Sequence, residues 1–227
     1  MQKTFVLLAL ILLTSCSTID YKPTISLQTC PKTIKKSVQM EKLVNKCPAT
    51  DSIDPSMGLA ITSRKYMPSD LDLALTHEIM NDFNNNALFS HISKRTDNPD
   101  LYIRGEINGF YGKSGMTTFG RVSYYLAMGS VIAVAATNQP LFFLGCAPFY
   151  SAFLGVPLGY NESGISITLR IYDKDNKLLG TYTATEKVYE SQSIYENQMA
   201  LSNLTNQTLT KVMQQIRDKI LADEGKF

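Results

Sequence analysis

The sequence predicts an α+β domain: a mostly antiparallel sheet with two helices on one face, in the order β-α-β-β-insertion-β-β-α, with an apolar helical hairpin as the insertion. Three observations predict it. Leu101, Ile103, Gly105, Ile107 and Gly109 alternate with Tyr102, Arg104, Glu106 and Asn108, and Ile165, Ile167, Leu169 and Ile171 alternate with Ser166, Thr168, Arg170 and Tyr172, the period of a sheet covered on one side. Leu71, Leu75, Ile79 and Phe83, and later Leu201, Leu204, Leu209, Val212, Met213, Ile216 and Ile220, recur near helical spacing. Between the two strand patterns, Arg121 and Glu162 enclose 40 residues without a charge.

The chain begins with Lys3 and an apolar run from Phe5 to Leu13, followed by Leu13-Thr14-Ser15-Cys16. The layout is that of a secretory signal, too short for a span with its own flanks. The last four residues resemble a bacterial lipobox. That resemblance implies a signal peptide over residues 1–15 and a lipidated Cys16, whose several acyl chains would anchor the protein stably in membrane lipid. By analogy with Gram-negative lipoproteins, Ser17 after the cysteine implies sorting to the outer membrane, facing the periplasm.

Residues 16–55 hold Pro23, Pro31, Pro48 and Pro55 with many Ser and Thr, and read as a tether with a flexible span of roughly 35 Å. Export permits disulfides. With Cys146 in the apolar run, Cys30 and Cys47 are the expected pair, closing a loop worth about 3 kcal/mol. Lys32, Lys35, Lys36, Lys42 and Lys46 make that loop basic, which suits solvent or, less directly, anionic headgroups.

The folded domain is expected over 56–227. Met57, Leu59 and Ile61 suggest a strand from about 56 to 64. Ser69 is the expected N-cap of the first helix, with acidic residues in its first turn, and Asn84-Asn85-Asn86 its end, asparagine tolerating a left-handed C-cap. A short strand over 88–92, the strand over 101–109, the insertion over 122–160 and the strand over 165–171 follow. Asp173 to Lys177 make a turn, Leu178 to Val188 a further strand, and Ile194 to Ala222 the closing helix.

Within the insertion, Val122 to Ala136 is apolar, Thr137 to Pro140 is a polar turn, and Leu141 to Tyr160 is apolar again, so a hairpin is expected. Its first arm is short for a bilayer span and its second is cut by Pro148, Pro157 and three glycines. Leu126, Val131, Ile132, Val134, Leu141, Phe142, Phe143, Leu144, Phe149, Phe153 and Leu154 are the residues expected to meet membrane or a protein partner.

The element order, the phrase Asp100-Leu101-Tyr102-Ile103-Arg104-Gly105-Glu106-Ile107, the strand ending Ile171-Tyr172-Asp173 and the closing helix resemble small bacterial envelope lipoproteins of the YajG type. They resemble more distantly the periplasmic domain of curli-secretion channel lipoproteins. No catalytic motif comes with either resemblance. The curli-type channel inserts β-hairpins, whereas the segment here lacks their alternation.

Chemistry is sparse. His77-Glu78 lacks the second histidine of a zinc helix, since position 81 is Asn81. Gly112-Lys113-Ser114 lacks the first glycine of a phosphate loop, and Asp173, Asp175 and Asn176 lack the rest of a calcium loop. The chain has 22 basic and 20 acidic residues, two histidines and no tryptophan, with no dense basic run for nucleic acid. No catalytic residue, metal or cofactor is expected. The expectation is a lipid-anchored, non-enzymatic envelope protein in a secretion, transport or envelope assembly, bound to membrane lipid through Cys16 and to a protein partner or further copies of itself. The alternative is a carrier in which the apolar segment folds over the sheet around a lipid or other hydrophobic ligand.

Overall fold

The computed structural model describes residues 21–48, 64–66, 70–193 and 201–227. The strands are β1 (Ile34–Met40), β2 (Val44–Asn45), β3 (Arg64–Tyr66), β4 (Phe89–Ser93), β5 (Leu101–Met116), β6 (Gly159–Asp173) and β7 (Leu178–Gln192). The helices are α1 (Leu71–Asn85), α2 (Thr118–Thr137), the single turn α3 (Ala147–Tyr150) and α4 (Leu201–Ala222). The sheet order is β4-β1-β5-β6-β7, with β2 and β3 also on β5. The predicted α+β class holds: β5, β6 and β7 are antiparallel, while β1 runs parallel to both of its neighbours.

The apolar stripe of α1 (Leu71, Leu75, Ile79, Phe83) and that of α4 (Leu209, Val212, Met213, Ile216, Ile220) share one buried cluster with Ile103, Ile107, Phe110, Ile165, Ile167, Leu169 and Ile171 of the sheet. Each such side chain contributes about 1.5–3 kcal/mol by leaving water, which makes this layer the main source of stability. Gly105 sits where a Cβ would press on the ends of the Leu43 and Leu169 side chains, which would have to repack. The opposite face is polar. Glu106 takes two hydrogen bonds from Arg170 and one from Lys46, at 2.7 to 3.1 Å, and Thr168 and Thr183 hydroxyls meet at 2.9 Å.

Several expectations are corrected. Residues 21–48 are not tether: β1 lies inside the sheet, burying Ile34, Val38 and Met40, and the segment before it crosses the helices. There Tyr21 Oη donates to Asn206 at 2.8 Å, Ile25 N to Glu78 at 2.8 Å and Cys30 N to the Asn86 carbonyl at 2.9 Å. Consequently no disulfide joins Cys30 to Cys47, and the expected pairing is absent. Cys30 precedes β1 beside the end of α1, whereas Cys47 follows β2 against the Ile107 carbonyl. A seven-residue strand between them is about 23 Å long, and bridged cysteines need Cα atoms within about 7 Å. Three lysines of the supposed basic loop are paired, Lys32 with Glu224, Lys42 with Asp72 and Lys46 with Glu106.

Smaller departures have local causes. A bulge between Ile107 and Gly109 shifts the phase of β5, so Phe110 takes the core position that alternation assigns to Gly109. At the end of α1 the left-handed residue is Ala87, not an asparagine. The strands β5 and β7 run on to Met116 and Gln192. The expected strand over 56–64 lies outside the described residues except for Arg64, as do the Ser69 cap and residues 194–200 of the closing helix.

Candidate membrane-contacting site

The hairpin leaves the far end of the β5–β6 ribbon, where Met116 pairs with Gly159. Its base is closed by the backbone: Thr117 N donates to the Leu158 carbonyl at 2.9 Å, and Thr117 Oγ1 caps α2 by accepting from Gly120 N at 2.9 Å. Gly120 is fixed by close approach, since a Cβ would meet the Leu158 carbonyl. The outgoing arm is α2, whose 20 residues end at Asn138 in the left-handed conformation, a residue type suited to that cap. The return arm is a 3-10 helix over Pro140–Cys146, then α3, then a 3-10 turn over Ser151–Leu154. Proline at its start and Gly155 in the left-handed region at its end bound it.

Small residues join the arms. Ser123, Ala127 and Ser130 lie three to four positions apart and so line one stripe of α2. Gly145 sits where any Cβ would strike the Ser130 hydroxyl, and Cys146 Sγ lies 3.8 Å from the Ala127 carbonyl. Such stripes let helix backbones approach closely. The polar side chains in the arms are tied to nearby carbonyls, Ser130 to Leu126 and Thr137 to Ala133, four residues back, and Ser151 to Pro148, at 2.6 to 2.7 Å. Ser123 Oγ, buried at the base, meets no hydrogen-bond partner among the described residues.

The rest of the hairpin surface is bare and apolar. Of the residues expected to make contact, Leu126, Val131, Ile132, Leu141, Phe143, Leu144, Phe153 and Leu154 are exposed, Leu154 by 86%. Val134 and Phe149 are half-buried between the arms and solvent, and the Phe142 side chain lies outside the described residues, as does Cys16. Phe119, Val122, Tyr125, Met128 and Tyr150 belong to the same exposed surface. Sequence reading passed over them, although a helical wheel of α2 that removes the small-residue stripe would have found the α2 members. Among the described residues, α2 is the one helix long and apolar enough to cross a membrane, with 11% of its apolar window buried.

The base is cationic and aromatic. Arg121 is exposed beside Tyr124 and Tyr125, whose rings meet edge to face at 6.0 Å, and Lys113 lies over the Tyr160 ring, which stacks on Tyr189 at 5.3 Å. Burial pushes the Glu162 carboxyl up, but hydrogen bonds from Tyr111 and Lys187 outweigh it and hold the group below the usual glutamate range.

No protein-family model matches this chain, and no curated protein matches it in sequence. Among solved structures, a Xanthomonas campestris protein, XCC0632, of the family DUF330, aligns over 92% of this chain and 98% of its own at 12% identity, with a TM-score of 0.51. The likeness is one of fold. An uncharacterized protein aligns over 87% of this chain and 99% of its own at 10% identity with a TM-score of 0.40, too distant to bear on the argument.

Other places offer little chemistry. Among the described residues no three His, Cys, Asp or Glu side chains gather as a metal site. His77 is exposed on α1, and Gly112-Lys113-Ser114 lies within β5 rather than in a loop. Two clefts, of about 390 Å³ beside Gln28 and Arg217 and about 690 Å³ beside Asn98 and Lys174, have mixed polar and apolar linings without a hairpin residue. Neither of these two clefts lies under the hairpin, whose outgoing helix meets the sheet mainly at the end of β5.

Proposed function

We propose that this is a lipid-anchored, non-enzymatic envelope protein, an accessory component of a secretion, transport or envelope-maintenance assembly, whose body presents the hairpin to the membrane that holds Cys16. The observation carrying the proposal is the exposed apolar surface of the hairpin, and the course of the chain next to Cys16 agrees with it. The Tyr21 ring lies 5.8 Å from that of Phe110, in the half of β5 nearer the hairpin. Five residue steps separate Tyr21 from Cys16, so the lipidated residue stays within about 18 Å of Tyr21 even when fully extended. The expected tether of roughly 35 Å shrinks to a short leash.

Tyrosines and lysines at the hairpin base suit the headgroup layer, where amphipathic rings and snorkelling amines settle. Ser17 supports the outer membrane as destination in a Gram-negative cell. The lipobox and the element order support a place near the YajG-type envelope lipoproteins. The curli-type channel is a poorer guide, because the inserted arms here are helical.

Carbonate extraction of cell envelopes tests this. The native protein, the Cys16→Ala form and a form with residues 122–154 replaced by a Gly-Ser turn should each stay in the membrane pellet, and only the doubly altered form should be released. Release of the Cys16→Ala form with its hairpin intact would overturn the proposal.

A further inference from the structure

We infer that the hairpin crosses the whole hydrocarbon layer, so that its polar turn at Thr137–Gln139 reaches the headgroups of the far leaflet. This rests on the proposed membrane role and adds its depth. At 1.5 Å per residue, the 20 residues of α2 measure about 30 Å, the thickness of the hydrocarbon core. The return arm has only 15 residues from Pro140 to Leu154. Most of it is wound as 3-10 helix at about 2.0 Å per residue, so it measures about 28 Å.

The register between the arms agrees. Gly145 abuts Ser130, and each lies about 12 Å from the tip by its own helical rise. The tighter winding lets a shorter arm match a longer one.

Orientation follows from how apolar residues are spread around α2. Val122, Tyr125, Leu126, Met128, Val131 and Ile132 are all exposed and at 100° per residue occupy nearly every direction not taken by the return arm. A helix lying in the interface has one apolar and one charged face; a helix apolar all round is surrounded by hydrocarbon. The tip decides how far it goes. A hairpin stopping at the bilayer centre would leave Asn138 and Gln139 in hydrocarbon, where amides lack partners. One of full length returns them to water.

The absence of tryptophan from the chain makes single tryptophans unique depth probes. Leu126→Trp, Leu144→Trp and Gln139→Trp, placed in the full-length protein in phosphatidylcholine vesicles containing acyl-chain-brominated lipid, report the middle of α2, the interior of the return arm about 10 Å from the tip, and the tip itself. All three sites are exposed, and the circular dichroism of each variant should match the parent. Mid-arm tryptophans are expected to be quenched by the deep bromines about twofold or more beyond the tip tryptophan. Strongest quenching at position 139 would overturn full-depth crossing and leave the membrane role standing. No quenching at any of the three would overturn both.

Discussion

An arginine in the interior of either arm separates a lipid-facing surface from a protein core. Leu126 is 49% exposed and Leu144 68% exposed, so Leu126→Arg and Leu144→Arg remove little packing. Arginine is also a good helix former. The folded body should lose no more than about 0.5 kcal/mol, as for other surface substitutions. In lipid the same change places a guanidinium near the bilayer centre, at a cost of about 2.5–3.5 kcal/mol. Since 1.4 kcal/mol is tenfold in an equilibrium constant, either substitution should weaken partition about 100-fold.

The assay is titration of the unlipidated Cys16→Ala protein with neutral phosphatidylcholine vesicles, which removes the attraction of about 1 kcal/mol that each basic residue feels near anionic lipid. Thermal unfolding is followed in parallel without vesicles. Unchanged partition would mean that neither side chain meets lipid. So would a loss of several kcal/mol of stability, because it would show that Leu126 and Leu144 are covered by protein.

Three further predictions concern the body and the hairpin joint. Arg170 and Lys46 hold the Glu106 carboxyl down at about 2, so its stabilisation is complete above the ordinary glutamate pKa of 4.5 and fades as pH falls toward 2. With its partners partly exposed, Glu106→Gln should cost about 1 kcal/mol at pH 7 in denaturant titrations and progressively less as pH falls through the folded-state value of about 2. Gly145→Ala should force the return arm off Ser130 at about 1–3 kcal/mol, read as faster amide exchange over residues 140–154, and Ser130→Gly should restore it. With no disulfide joining Cys30 to Cys47, a reductant should leave the melting temperature of the Cys16→Ala protein unchanged, and a drop of several degrees would contradict this.

Much of the body was legible because its elements keep one period for long enough. The stripes on α1 and α4 and the alternation in β6 each come from a face that stays buried along its length. The alternation in β5 was legible only as far as Ile107, because a bulge changes the phase and no residue type announced it. What stayed hidden was β1. Its core residues are Ile34, Val38 and Met40, the pairing register shifts between Ile34 and Ser37, and two lysines interrupt it, so period 2 never establishes itself over seven residues.

The disulfide expectation failed for the same reason: taking the segment as loose made two cysteines free to meet, whereas a strand holds them apart. The hairpin was legible from its missing charges. The 3-10 winding of its return arm was not, because Leu141 to Leu144 favour no single helical pitch and the contact of Gly145 with Ser130 depends on both arms together.

The central claim is that lipid receives the exposed hairpin. Vesicle flotation of purified Cys16→Ala protein, with residues 122–154 present or replaced by a Gly-Ser turn, measures this most directly. The first should float with phosphatidylcholine vesicles and the second should stay at the bottom of the gradient, both with native circular dichroism. Equal behaviour of the two proteins would contradict that claim.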